Sequence, residues 1–186
     1  MSWFSRNPPP NAWTWPYTPD ERDRVVWLRD MPQPDPGAPL PTVLANDYGL
    51  LLVYILPHGP TDRDGRTVQI VGSATDDLPI AVVEFQQPYA HLHGPPNDEA
   101  IAGHPLAVRG ASPYGVYEVE GSSWIRAMER MNRVHPYHNP GRFDLLHHYV
   151  FTFHESVFEC AANDMVVRVE HGSMASVVAK VVERLP

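Results

Sequence analysis

Cysteine is nearly absent from this chain. Its 186 residues include one, Cys160, so no intramolecular disulfide can form and no thiolate cluster can hold zinc. Positive charge is scarce too. Fourteen lysines and arginines stand against 22 aspartates and glutamates, a formal balance of −8 at pH 7. A nucleic-acid footprint needs a basic stripe or patch. The basic residues here are scattered, apart from Arg126, Arg130 and Arg133 on one expected helix, so no nucleic-acid partner is expected. Long apolar runs are missing as well. The longest, at 50–56, has the length of a strand, and nothing approaches the roughly 18 apolar residues of a membrane span. The first residues, MSWFSRNPPPNAWTWPYTP, lack the apolar core of a signal peptide. A cytoplasmic location without a membrane partner is the expectation. No Gly-rich phosphate loop, Walker motif or dinucleotide fingerprint occurs.

What is present suits a globular fold. Hydrophobic residues make up 43% and charged residues 19%, which places the chain outside the disordered class. The length fits one domain with a real core. Ten histidines, all protonated, would carry the balance from −8 to +2, so surface charge should change between roughly pH 5 and 7.

Proline divides the chain. Ten of the 21 prolines fall in the first 41 residues, a density that breaks any continuous ladder or helix. The same stretch carries Trp3, Trp13, Trp15 and Trp27, more large rings than a free arm would keep. Residues 1–41 therefore read as an extended arm lying on the domain or on a partner. One short helix is expected in it, over 19–30, because Thr18-Pro19-Asp20-Glu21 has the form of a capping box with proline at the first helical position. Residues 42–186 read as a single domain. Strands are expected over 42–47, 50–56, 67–72, 80–86, 114–119 and 165–170. Helices are expected after Ser122 or Ser123 and after Ser173, the second with a stripe of Met174, Val177, Val178, Val181 and Leu185. Short turns between most strands give an α+β class: a mainly antiparallel sheet with two or three packed α-helices and the Pro/Trp-rich N-terminal arm.

Two stretches carry candidate chemistry. In YAHLHGPPNDEAIAGHP (89–105), a strand continuing from IAVVEFQ beyond Pro88 would aim His91 and His93 to one face. Asn97 or Asp98 would cap a short turn holding Glu99, with His104 following. Two or three imidazoles and a carboxylate suit a divalent transition metal, with His91, His93 and His104 as ligands and Glu99 as a base. The order His-x-His then Glu resembles the cupin metal motif. Glu99 falls six residues after His93, however, and no second motif is present, so no family is assigned. In FDLLHHYVFTFHESVFECAAND (143–164), a hairpin with Glu155-Ser156 at its tip would bury Phe151, Phe153, Phe158 and Cys160 on one face. The other face would carry His148, Thr152, His154 and Glu159, with Thr152 opposite Glu159. His154 and Glu159 join Glu99 as candidate acid–base residues. His135 and His138, around Pro136, read as a helix-ending loop. Two functions follow: a small binding or interaction protein, using the arm to hold a partner or a second copy, or a metal-dependent or His/Glu acid–base enzyme.

Overall fold

A computed structural model describes residues 15–58 and 71–185. Two antiparallel sheets stack face to face. The first contains β1 (Arg24–Trp27), β5 (Ala90–Gly94), β6 (Val116–Glu120), β7 (His147–Thr152) and β8 (Val157–Ala162), in the order β1-β6-β7-β8-β5. The second contains β2 (Thr42–Ala45), β3 (Leu50–Ile55), β4 (Leu78–Gln86) and β9 (Asp164–Gly172), in the order β2-β3-β4-β9. Helix α1 (Ser123–Asn132) covers the outer face of the first sheet and α2 (Met174–Val182) that of the second. The expected antiparallel pairing and two helices are present. No helix among the described residues is long and apolar enough to cross a membrane.

Three apolar layers follow from strand alternation. Between the sheets, Leu52, Tyr54, Val83 and Phe85 meet Phe151, Phe153, Phe158 and Cys160. Outside the second sheet, Leu51, Val53, Ile80 and Val82 meet Met174, Val177 and Val181 of α2. Outside the first, Tyr117, Val119 and Val150 meet Trp124, Ile125 and Met128 of α1, along with Tyr17 and Leu106. Strands β3 and β4 are buried on both faces, which is why they read as near-continuous apolar runs. Both helices are capped by the serines named from sequence: Ser122 accepts from the Ile125 N–H and Ser173 from the Ser176 N–H. Cys160 lies fully buried between the sheets, and burial pushes its thiol well up. Helix α2 packs on the far face of the second sheet and does not reach it.

Three expectations are corrected. The helix over 19–30 is not formed. Asp23 accepts from the Asp20 N–H, Asp20 accepts from the Arg22 N–H, and the chain then enters β1, paired with β6 over Arg24↔Glu120 to Trp27↔Tyr117. The acidic residues that look like a capping box close a tight turn instead. The turn is held by Gly121, whose φ is 63° and where a Cβ would lie 2.4 Å from the Arg22 carbonyl oxygen. Second, β5 does not extend β4. Gln87, at φ 49°, redirects the chain after β4, and β5 joins the other sheet beside β8. Third, the β7–β8 tip is His154-Glu155, closed by Phe153 N–H to the Ser156 carbonyl at 2.8 Å. Val150, not Thr152, faces Glu159. This register differs from the expected one by two residues, so every side chain keeps its face. The strand expected at 67–72 falls largely outside the described residues, as do Trp3 and Trp13.

Candidate functional site

The structure puts most of the sequence-derived residues in two places, one sealed and one open, with His91 and Glu99 in neither. The sealed place lies under α1, on the outer face of the first sheet. Glu159 is 1% exposed and accepts four hydrogen bonds. Oε1 receives Trp15 Nε1–H at 2.8 Å and His104 Nε2 at 3.3 Å. Oε2 receives the Tyr17 hydroxyl at 2.5 Å and His148 Nε2 at 2.7 Å. The Leu106 N–H donates to His104 Nδ1, which leaves the His104 proton on Nε2, facing Glu159. Ser122 Oγ lies 2.9 Å from His148 Nδ1 while also capping α1. Burial alone would raise the Glu159 carboxyl. The hydrogen bonds from His104 and His148 outweigh it and hold the carboxyl down at about 2. Burial, with the Glu159 charge beside it, pushes the Tyr17 phenol far up. Every lone-pair direction of the carboxylate is occupied, so this knot ties the 15–17 segment, the 104–106 turn, β7 and β8 together.

The open place is at the end of the sandwich where β5, the β7–β8 tip and the entry to β2 converge. A cleft of about 430 Å³ is lined by Pro39, Leu40, Pro41, His93, Gly94, Pro95, His154, Glu155 and Ser156. His93 Nε2 lies 3.2 Å from Ser156 Oγ. His154 Nδ1 lies 2.9 Å from Asp98 Oδ2, and the Asp98 N–H donates to the His154 carbonyl. The Tyr114 hydroxyl donates to the same Asp98 oxygen, and its ring stacks on His154 at 6.3 Å. The Tyr114 hydrogen bond is the largest influence on Asp98, whose carboxyl is lowered, and the same bond raises Tyr114 to about 12. Tyr114 itself sits at φ 60°, a left-handed conformation that costs a bulky residue and persists only where neighbours enforce it. Thr152 enforces it here. Its hydroxyl donates to the Ser112 carbonyl and accepts from the Gly115 N–H.

His91 and His93 share one face of β5, as alternation requires, opposite Cys160 and Phe158. Both rings lie against Phe158, at 6.1 and 6.2 Å. Partial burial lowers the pKa of each, and for His93 the neighbouring His91 adds to the effect. His104 is on the opposite side of the same sheet, against Glu159, so the set His91, His93 and His104 is not brought together. Glu99 is exposed on the turn after Asn97, whose side chain accepts from the Ala100 N–H. Of Glu99, His154 and Glu159, only His154 lines the cleft. Among the described residues, no group of three or more His, Cys, Asp or Glu side chains is arranged to hold a metal ion. His138 lies in a loop after α1, bonded to Asn132 and Glu129.

Sequence reasoning passed over Ser156, Tyr114 and the 39–41 segment as parts of the cleft, and Trp15, Tyr17 and Ser122 as parts of the knot. Each contact joins residues far apart in the chain, up to 144 positions for Trp15 and Glu159, so no local spacing announces it. No family model, no curated protein and no solved structure matches this chain.

Proposed function

We propose that this is a small binding protein that holds a compact ligand in the cleft between β5, the β7–β8 tip and residues 39–41. One observation carries the reading. Three polar side chains, His93 from β5 and His154 and Ser156 from the β7–β8 tip, converge in a concavity otherwise walled mainly by proline and leucine, with Glu155 at its rim. An apolar cleft with a few convergent polar groups is the usual form of a ligand site. The walls favour an apolar body. His93 and Ser156 can exchange one donor and one acceptor with it. Glu155, at the rim, disfavours an anionic ligand, so a neutral phenol or cyclic amide is the fitting class.

The test is a titration of the full chain with a set of phenols and cyclic amides, following the His93 and His154 ring signals by NMR. Saturable shifts that vanish in Ser156→Ala and His93→Gln support the reading. Rings that ignore every probe refute it. On the arm, the bonds from Trp15 and Tyr17 to Glu159 of the same chain support docking within the molecule over capture of a partner by that segment.

The His93–Ser156 contact also favours a second reading, an acid–base enzyme acting without a metal. His93 has a pKa below the ordinary histidine value, so it is neutral at pH 7 and able to take the Ser156 proton. Slow hydrolysis of an activated phenyl ester, abolished by Ser156→Ala, would support it. Equal rates in wild type and variant would exclude it.

A further inference from the structure

Each sheet edge but one is short. Among the described residues, β1 and β2 have four residues and β5 has five. β9 also lies at an edge and runs for nine, with no fully buried residue. Open edges are normally blunted by brevity, by proline, by bulges, by a covering element or by charged side chains, lysine above all. β9, DMVVRVEHG, contains neither proline nor lysine. Its side chains facing between the sheets, Met165, Val167 and Val169, stand opposite Phe85, Val83 and Ala81 of β4. They are only partly covered there, Val169 being 48% exposed. A ladder without a partner strand among the described residues, flanked by a half-covered apolar row, is a surface for adding a strand.

We infer that the added strand is the β9 of a second copy of this chain, paired antiparallel about a two-fold axis at Val169. The charges select both occupant and register. An antiparallel pair about a two-fold axis sets each residue against its mirror image across the centre, with both side chains on one face. Three such registers overlap seven or more residues of β9. Centring on Val167 sets Asp164 against Glu170, and centring on Arg168 sets two guanidiniums together. Centring on Val169 sets Arg168 against the second copy's Glu170, twice by symmetry, with the Val169 pair between them. Opposite charges across a strand pair stabilise it and like charges oppose it. The same side chains also pair within the chain, Arg168 with Glu84 and Glu170 with Lys180 and Arg184, so the crossing pair adds to charge pairs already on that face. The product is one continuous eight-stranded sheet with α2 from each copy on the same outer face.

Sedimentation of the full chain, from low micromolar to submillimolar concentration, is the test. Wild type should form a dimer, and β9 amides should exchange more slowly in the concentrated sample than in the dilute one. Arg168→Glu, which faces acid with acid, and Val169→Lys, which puts two ammoniums on the axis, should each weaken the dimer about tenfold or more. Val169 is 48% exposed, so Val169→Lys should leave the melting temperature of the dilute monomer nearly unchanged, while Arg168→Glu, which also meets Glu84 of the same chain, should lower it slightly. A chain that remains monomeric throughout overturns the inference. So does a dimer that both variants leave intact, or one dissociated only by deleting residues 1–17.

Discussion

Glu159 is a carboxylate 1% exposed to solvent, an environment far from its ordinary one. A carboxylate buried without partners would protonate, and this one stays ionised because four donors converge on it. Replacing it with glutamine presents an amide N–H₂ to donors that need an acceptor. Glu159→Gln should therefore lose about 3 kcal/mol or more of stability, by the measure of broken buried ion networks. Tyr17→Phe, which removes one bond to a charged acceptor, should lose about 2 kcal/mol. Urea denaturation at pH 7 checks both, and equal stability of wild type and Glu159→Gln would show that the knot contributes nothing.

Protonation sharpens the point, because two sets of groups act in separate pH windows. His91 and His93 are lowered in the folded chain, so the unfolded chain takes up protons first as pH falls below about 6.5. Their contribution to stability is complete above that value and declines as the pH drops towards their folded pKa values. Glu159 is also lowered, to about 2. Its contribution is complete above the unfolded carboxylate value of about 4.3 and is lost as pH falls through the folded one. Stability measured from pH 7.5 downward, values chosen to span roughly these pKa ranges, should fall in two stages. His91→Gln with His93→Gln should flatten the first stage only. If that double variant left the first stage unchanged, the dependence would belong to other groups.

Among the elements, alternation made the strands legible. β4, β8 and β9 show it or show an apolar run, and β2–β3 carries its own turn, in which Asn46 accepts from the Tyr48 and Gly49 N–H groups. The capping serines of α1 and α2 are local signals and were readable for that reason. β1 was not. Its partner residues in β6 lie 90 to 96 positions away, while Thr18-Pro19-Asp20-Glu21 offers a helix start next door. The β-branched pair Val25-Val26 pointed the other way, and tertiary pairing decided. The face of β5 was legible, but the crossing from one sheet to the other after Gln87 was not, so His104 seemed near His91 and His93 when a sheet lies between them.

The N-terminal segment belongs to this level as well. Trp15 contacts Glu159 and the His104 ring, and Tyr17 contacts Glu159, Trp124 and His148. Deleting residues 1–17 takes away two of the four donors and uncovers Trp124. A loss of about 3 kcal/mol is expected, which for a chain of this size lowers the melting temperature by about 6–12 °C. Calorimetry of the truncated chain decides it, and an unchanged melting temperature would mean that the segment merely rests on the surface.

The molecule as a whole is layered as helix, sheet, sheet, helix, and its cooperativity depends on the middle layer. The outer layers are separate: α1 touches one sheet and α2 the other. What joins the halves is an aromatic centre, with Phe85 against Phe158 at 5.5 Å, Tyr54 against Phe153 at 5.5 Å, and Phe151 against both Phe85 and Phe158 near 6 Å. Such rings contribute through both area and ring geometry. Phe158 is fully buried among them, so Phe158→Ala should cost about 3–5 kcal/mol. The loss should appear in both sheets at once, because neither inner face can remain apolar and uncovered in water. Native-state hydrogen exchange gives the measurement. In wild type, the amides of Leu52 in β3 and Val150 in β7 should open with the same free energy, and Phe158→Ala should lower both by the same amount. A drop confined to Val150, with Leu52 unchanged, would show that the second sheet with α2 stands alone and that the two halves fold as separate units.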